Sequence, residues 1–207
     1  MSGADPGPGR RPVTHLLYLH GFRSSPQSTK AKKLAAWVAA HRPDLVWWCP
    51  QLPASPAAAM AEVTAGVAGW PRDAMAVIGS SLGGFYATAV AEHCGCRAVL
   101  LNPAVDPARD LADAIGATTS WHGGDPFDFR PEYVDELRAV APPATLNDPG
   151  RYFAIIAKGD EVLSWREMSE RYAGCRVRLL EGGDHALSDF DAHLPEVLAF
   201  LGLDGPD

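Results

Sequence analysis

The chain has 207 residues, 47% of them hydrophobic and 21% charged, which suits one well-cored domain and is too short for two. A formal charge of −7 and a pI near 5.4 leave no basic footprint, so nucleic acid is excluded as an expected partner. No apolar run approaches the roughly 18 residues of a membrane span, and the start, Met1 to Pro12, is Gly, Pro and Arg without the apolar stretch of a secretory signal. Residues 1–12 and 204–207 therefore read as tails around a single domain, 13–203. In the absence of a signal, the four cysteines point to reduced thiols in the cytoplasm.

Thr14 to Leu19 is a short, mostly apolar β-type run, suited to a strand covered on both faces. His20-Gly21-Phe22 breaks it. From Gln27 to Ala40, Leu34, Trp37 and Val38 recur at helical spacing, with Ser28 or Thr29 available as an N-cap. Leu45 to Cys49 is a second strand closed by prolines, and Ala57 to Trp70 an Ala-rich helix. Met75 to Ile78 is the third strand, followed by the turn Gly79-Ser80-Ser81-Leu82-Gly83 and a helix from Leu82 to Cys94. Ala98 to Leu101, Tyr152 to Ala157 and Val177 to Leu180 complete six strands. Leu187 to Leu201 ends the chain as an amphipathic helix, with Pro195 expected in its first turn. Between Ala104 and Gly150 no strand pattern is visible; a segment of that length reads as an insertion over the site.

Strands alternating with helices predict a parallel sheet with right-handed crossovers and helices on both faces. In such a sheet, ligands bind beyond the carboxyl ends of the strands, so the residues that follow each strand matter most. After the first strand comes His20-Gly21-Phe22, and after the third Ser81. After the fifth comes Lys158-Gly159-Asp160-Glu161, and after the sixth Gly182-Gly183-Asp184-His185.

Gly-x-Ser-x-Gly between a strand and a helix is the context of a nucleophile elbow, which strains the backbone of Ser81 and exposes its hydroxyl. Gly79 and Gly83 fit because a side chain at either place would strike the neighbouring strand or helix. A serine hydroxyl needs a base within reach, and His185 can take its proton and return it to a leaving group. An acid must then orient the imidazole. Asp160 is favoured over Glu161, Asp184 and Asp106. Leu82 and Phe22 are the expected backbone donors of an oxyanion hole.

His20 reads mainly as a brace for its loop, although it joins Trp121 and His122 as a candidate for lining the substrate pocket. His15 and His41 read as structural or solvated. His93-Cys94-Gly95-Cys96 lacks a second Cys/His pair at metal-binding spacing and reads as a helix end, so no metal and no cofactor are expected. Lys30, Lys32 and Lys33 form a basic run near a helix start. Such a run is usually a solvated face, but acidic substrate groups could approach it.

Taken together, these stretches resemble the small bacterial esterases of the YqiA-like family within the α/β-hydrolases. The resemblance rests on Leu17-Tyr18-Leu19-His20-Gly21-Phe22 with Ser24-Ser25-Pro26, on Pro50-Gln51-Leu52-Pro53 and on Gly79 to Gly84. It continues through Asn102-Pro103-Ala104-Val105, Gly159-Asp160-Glu161-Val162-Leu163 and Gly182-Gly183-Asp184-His185-Ala186. It spans about Leu16 to Leu203. It implies a reduced α/β-hydrolase fold without the N-terminal pair of strands, with a triad on Ser81, Asp160 and His185. The implied activity is hydrolysis of acyl-CoA thioesters and short aryl esters. Asp184 stands where the family pattern would have Asn, and the insertion matches poorly.

The expected function is thus a cofactor-independent serine esterase or thioesterase acting on a small acyl ester. The alternatives are a binding module that keeps the triad but turns over slowly or not at all, and an amidase or peptidase on the same scaffold. Nothing in the sequence bears on oligomeric state.

Overall fold

Six short runs rich in Val, Ile, Leu and Ala become the strands of one sheet. In the computed structural model, residues 11–116 and 127–204 are described. The strands are β1 (His15–Leu19), β2 (Val46–Trp48), β3 (Met75–Ser80), β4 (Arg97–Leu101), β5 (Tyr152–Ala157) and β6 (Arg176–Leu180). All five pairings are parallel and the order is β2-β1-β3-β4-β5-β6. The order reverses at β1, next to β3, where such sheets open a crevice for ligands.

The helices are α1 (Thr29–His41), α2 (Pro56–Val67), α3 (Leu82–Cys94), α4 (Pro107–Asp110), α5 (Glu132–Ala139), α6 (Trp165–Arg171) and α7 (Phe190–Leu201). Side chains alternate across each strand, so neighbouring residues feed opposite cores. Leu16 and Tyr18 of β1 pack with Ala31, Leu34 and Val38 of α1 and with Val197 and Leu201 of α7. Leu17 and Leu19 face the other way, onto a core shared by Val63 of α2, Phe85 of α3 and Met168 of α6. Every residue of β3 and β5 is buried, which is why both read as unbroken apolar runs. Edge strand β6 is the contrast, with Val177 and Leu179 partly exposed.

The insertion carries α4, α5 and two single 3₁₀ turns at Ala112–Ala114 and Pro149–Arg151, with no strand among its described residues. Phe129, Val134, Leu137 and Leu146 anchor it in the core. Its Phe127 and Phe129 rings meet the Phe22 ring edge-on at 5.1 and 5.2 Å. Glu136 of α5 accepts hydrogen bonds from the Ser55 hydroxyl and the Ala57 N–H at the start of α2. The insertion thus braces the loop after β1 from the side.

Two expectations are corrected. Pro195 lies mid-helix, because α7 starts at Phe190 after a turn closed by Leu187 N–H to Asp184 C=O. The carbonyl that Pro195 cannot bond belongs to Asp191, an exposed residue whose carbonyl water can satisfy. In addition, Trp165–Arg171 is a helix that the sequence pattern does not announce. Its N-cap is Ser164, whose hydroxyl accepts from Glu167 N–H, and only Met168 is fully buried. The expected tails fall largely on residues 1–10 and 205–207, which lie outside the described residues.

Candidate active site

The turn between β3 and α3 brings three backbones closer than any side chain allows. A Cβ on Gly79 would sit 2.1 Å from the carbonyl oxygen of Gly83, and one on Gly83 would sit 2.0 Å from that of Leu19. With both glycines in place, Ser81 takes φ 56° and ψ −121°, a conformation that L side chains rarely adopt. It is held there by Ser81 N–H to Leu101 C=O at 3.0 Å, and its own C=O accepts from Ala104 N–H at 3.0 Å. The strain aims the hydroxyl out beyond the sheet.

Asp160 follows β5 and its side chain is fully buried. Its Oδ1 accepts from the N–H groups of Val162 and Leu163, both at 2.8 Å. That fixes Oδ2, which lies 2.8 Å from His185 Nδ1. A carboxylate at that distance makes Nδ1 the protonated nitrogen, leaving Nε2 as an acceptor 3.0 Å from Ser81 Oγ. Three side chains separated by 79 and 25 positions therefore meet in one hydrogen-bonded line.

The other carboxylates weighed for the orienting position are engaged elsewhere. Asp106 caps α4 by accepting from Arg109 N–H. Asp184 accepts from the Ser188 hydroxyl at 2.6 Å and the Ser188 N–H at 2.9 Å, bonds that hold its carboxyl below the usual range. Turned into its own loop, Asp184 does not take the place of Asp160. Glu161 is closest in effect: its Oε2 accepts from the backbone N–H of His185 at 3.0 Å.

Two further residues hold the His185 loop, and neither was expected to do so. Asn102, at the end of β4, is fully buried with φ +42°. Its Nδ2 donates to the carbonyls of Asp184 and His185 at 3.0 and 3.2 Å, while its Oδ1 accepts from Ala157 N–H at 2.8 Å. It therefore ties the end of β5, three residues before Asp160, to the loop that carries His185. Lys30, in the first turn of α1, donates to the carbonyl of Ala186.

Gly21 presses against the nucleophile, since a Cβ there would lie 3.2 Å from Ser81 Cβ. This brings the Phe22 backbone beside Ser81. Leu82 is the first residue of α3, so its N–H has no partner within the helix. His20 is buried, and its Nδ1–H donates to Gly21 C=O at 3.0 Å while Nε2 accepts from Leu52 N–H at 3.0 Å. With both nitrogens used, it braces the loop rather than reaching into the site. The candidates Trp121 and His122 lie outside the described residues.

Ser81 and His185 open onto a cleft of about 390 Å³ walled by α1 and the His185 loop. Beside Leu82, in a second and smaller pocket, Phe22, Leu52, Tyr86 and Phe127 make an apolar wall. His93, Cys94, Gly95 and Cys96 are the end of α3, where Gly95 takes φ +72° and Cys94 and Cys96 are buried. Among the described residues no group of three or more His, Cys, Asp or Glu side chains could hold a metal ion, and no helix is long and apolar enough to cross a membrane.

The fold is that of the α/β-hydrolases. Similar solved structures include mouse alpha/beta hydrolase domain-containing protein 10, with a TM-score of 0.67 at 14% identity, covering 94% of this chain and 88% of that one. A structure described under two metagenome-derived lipolytic enzymes, LipS and LipT, gives a TM-score of 0.65 at 20% identity, covering 95% of this chain and 98% of that one. The esterase domain of a Rhodothermus marinus protein gives 0.63 at 20%, covering 91% and 86%. The model of the family described as "Uncharacterised protein family (UPF0227)" matches residues 15–202, nearly the whole of the stretch on which the YqiA-like resemblance rests. The chain belongs to this family.

Proposed function

We propose that the protein is a serine hydrolase of small carboxylic esters or thioesters that works through an acyl-Ser81 intermediate. The observation that carries the reading is the line from Ser81 Oγ to His185 Nε2 at 3.0 Å and from His185 Nδ1 to Asp160 Oδ2 at 2.8 Å. The esterase and lipolytic names of several structures that share the fold add to it.

In the first half-reaction, Nε2 takes the Ser81 proton as Oγ attacks the carbonyl carbon. Asp160 keeps the imidazole in the productive tautomer and offsets the charge of the imidazolium. The N–H groups of Phe22 and Leu82 receive the oxyanion; one such donor is worth about 3–4 kcal/mol in the transition state. The imidazolium then hands its proton to the departing alcohol or thiol. In the second half, water delivered through His185 releases the acid. The acyl group lies against the apolar wall of Phe22, Leu52, Tyr86 and Phe127. No step requires a metal or cofactor.

The test is a panel of p-nitrophenyl esters and acyl-CoA thioesters of varied chain length, with a matched amide, run beside Ser81→Ala. Turnover of esters or thioesters that vanishes in the variant supports the reading. Faster amide than ester cleavage favours an amidase, and no turnover of any member favours a binding module.

A further inference from the structure

Resting on the hydrolase reading, we propose that the cleft between α1 and the His185 loop is a subsite for an anionic group, a carboxylate or phosphate, on the leaving-group side of the substrate. Three observations carry it. First, the position: the leaving atom must depart next to the imidazole that protonates it, and the cleft is built on that side, with His185, Ala186 and Ser188 forming one wall.

Second, the opposite wall is the start of α1, and both Lys30 and Lys33 line it. A helix N-terminus already carries positive potential from its free N–H groups, so lysines are disfavoured there. This helix has no acidic residue in its first turn and no side-chain cap. Two cations are thus set against the local field, in a chain whose net charge is −7.

Third, the ammonium groups are only partly used. Lys30 donates to the Ala186 carbonyl with Asp184 nearby, and Lys33 donates to Asp191 Oδ2 at 2.6 Å. Each ammonium has three N–H donors and spends one of them in these contacts. Lys30 is also largely withdrawn from water, which pushes its ammonium down to about 8. A bound anion would restore part of what burial removes.

Together, two ammonium groups with unused donors and the free N–H groups of the first turn of α1 form a donor-bearing wall beside the nucleophile, to which the Tyr18 and Ser28 hydroxyls also belong.

The experiment compares two esters of the same shape: 4-acetoxybenzoate, whose leaving group carries a carboxylate, and 4-acetoxybenzamide, whose leaving group does not. The readout is the ratio of their kcat/KM values in the native chain, Lys30→Met and Lys33→Met. Because Lys30 also holds the His185 loop, its loss can slow both esters, and the ratio cancels that effect. The native ratio should fall about tenfold in Lys30→Met and less in Lys33→Met, and it should shrink in the native chain as salt is raised. Titration calorimetry on Ser81→Ala gives a second reading free of turnover, in which 4-acetoxybenzoate should bind about tenfold tighter than the amide. A ratio unchanged in both lysine variants, or equal binding of the two esters, overturns the subsite and leaves Lys30 as a clamp only. If neither ester is cleaved, the hydrolase reading fails, and the calorimetric comparison still decides the subsite.

Discussion

Asp160→Asn exchanges one oxygen for an NH₂ group, and the surrounding hydrogen bonds dictate which one. Oδ1 accepts from two backbone N–H groups, those of Val162 and Leu163, at 2.8 Å each. An NH₂ at that position would set donor against donor twice inside a fully buried pocket. The amide must therefore keep its oxygen there and turn its nitrogen toward His185 Nδ1. This imposes the opposite tautomer on the imidazole, with the proton on Nε2, where it faces Ser81 Oγ and can no longer accept the serine proton. The backbone is untouched and the side chain keeps its volume, so folding should be nearly native while kcat falls by about 10³–10⁴, equivalent to about 4–5.5 kcal/mol. The assay is steady-state hydrolysis of p-nitrophenyl butyrate at saturation, with a thermal melt of the same sample and Asp106→Asn as the control. Asp106 only caps a four-residue helix, so that variant should turn over at close to the native rate. A kcat for Asp160→Asn within tenfold of native, or the larger loss in Asp106→Asn, would refute the reasoning and reassign the acid.

Three further outcomes follow from the same geometry. Asn102→Ala strips the Ala157 N–H of its buried acceptor and frees two carbonyls of the His185 loop; it should cost about 1–3 kcal/mol in urea unfolding and slow turnover by at least about tenfold as the imidazole loses its fixed position. Gly83→Ala would place a Cβ 2.0 Å from a backbone oxygen of β1 that cannot move aside; it should destabilise the fold by about 3 kcal/mol, and a native melting temperature would show that the elbow is looser than described. Finally, the preference for an anionic leaving group should decline between pH 7 and 9. Lys30 is charged below about 8 and neutral above it, its burial outweighing the attraction of Asp184. Lys33, Asp184, Asp191 and the ring of His185 also face this region, and the neutral ester measured alongside controls for changes common to both substrates.

How much of this could be read from the sequence depended on whether the signal was local. The elbow is local: an apolar run, Gly-x-Ser-x-Gly and a small-residue helix fit within twenty positions, and α3 spans the expected Leu82–Cys94. The strand ends were equally legible, because each is a run of apolar residues stopped by polar ones, and that placed Asp160 and His185 at the same rim. Helix α6 was not legible because it buries Met168 alone, leaving no apolar periodicity to detect. Pro195 misled because its tolerance depends on Asp191 facing water. Asn102 read as a strand terminus; its work is done through carbonyls 82 and 83 residues away. Lys30 looked like part of a solvated basic run, and its burial depends on Ala186, 156 positions along the chain. Contacts of that range leave no mark on spacing.

The account stands on the Ser81 hydroxyl being a nucleophile, and active-site labelling tests this most directly. The native chain is treated with a fluorophosphonate probe, and the modified peptide is mapped by mass spectrometry. The account predicts a single adduct on Ser81 that is absent in Ser81→Ala and strongly slowed in His185→Ala. A native chain that takes up no probe, or labelling that persists unchanged in Ser81→Ala, would contradict it.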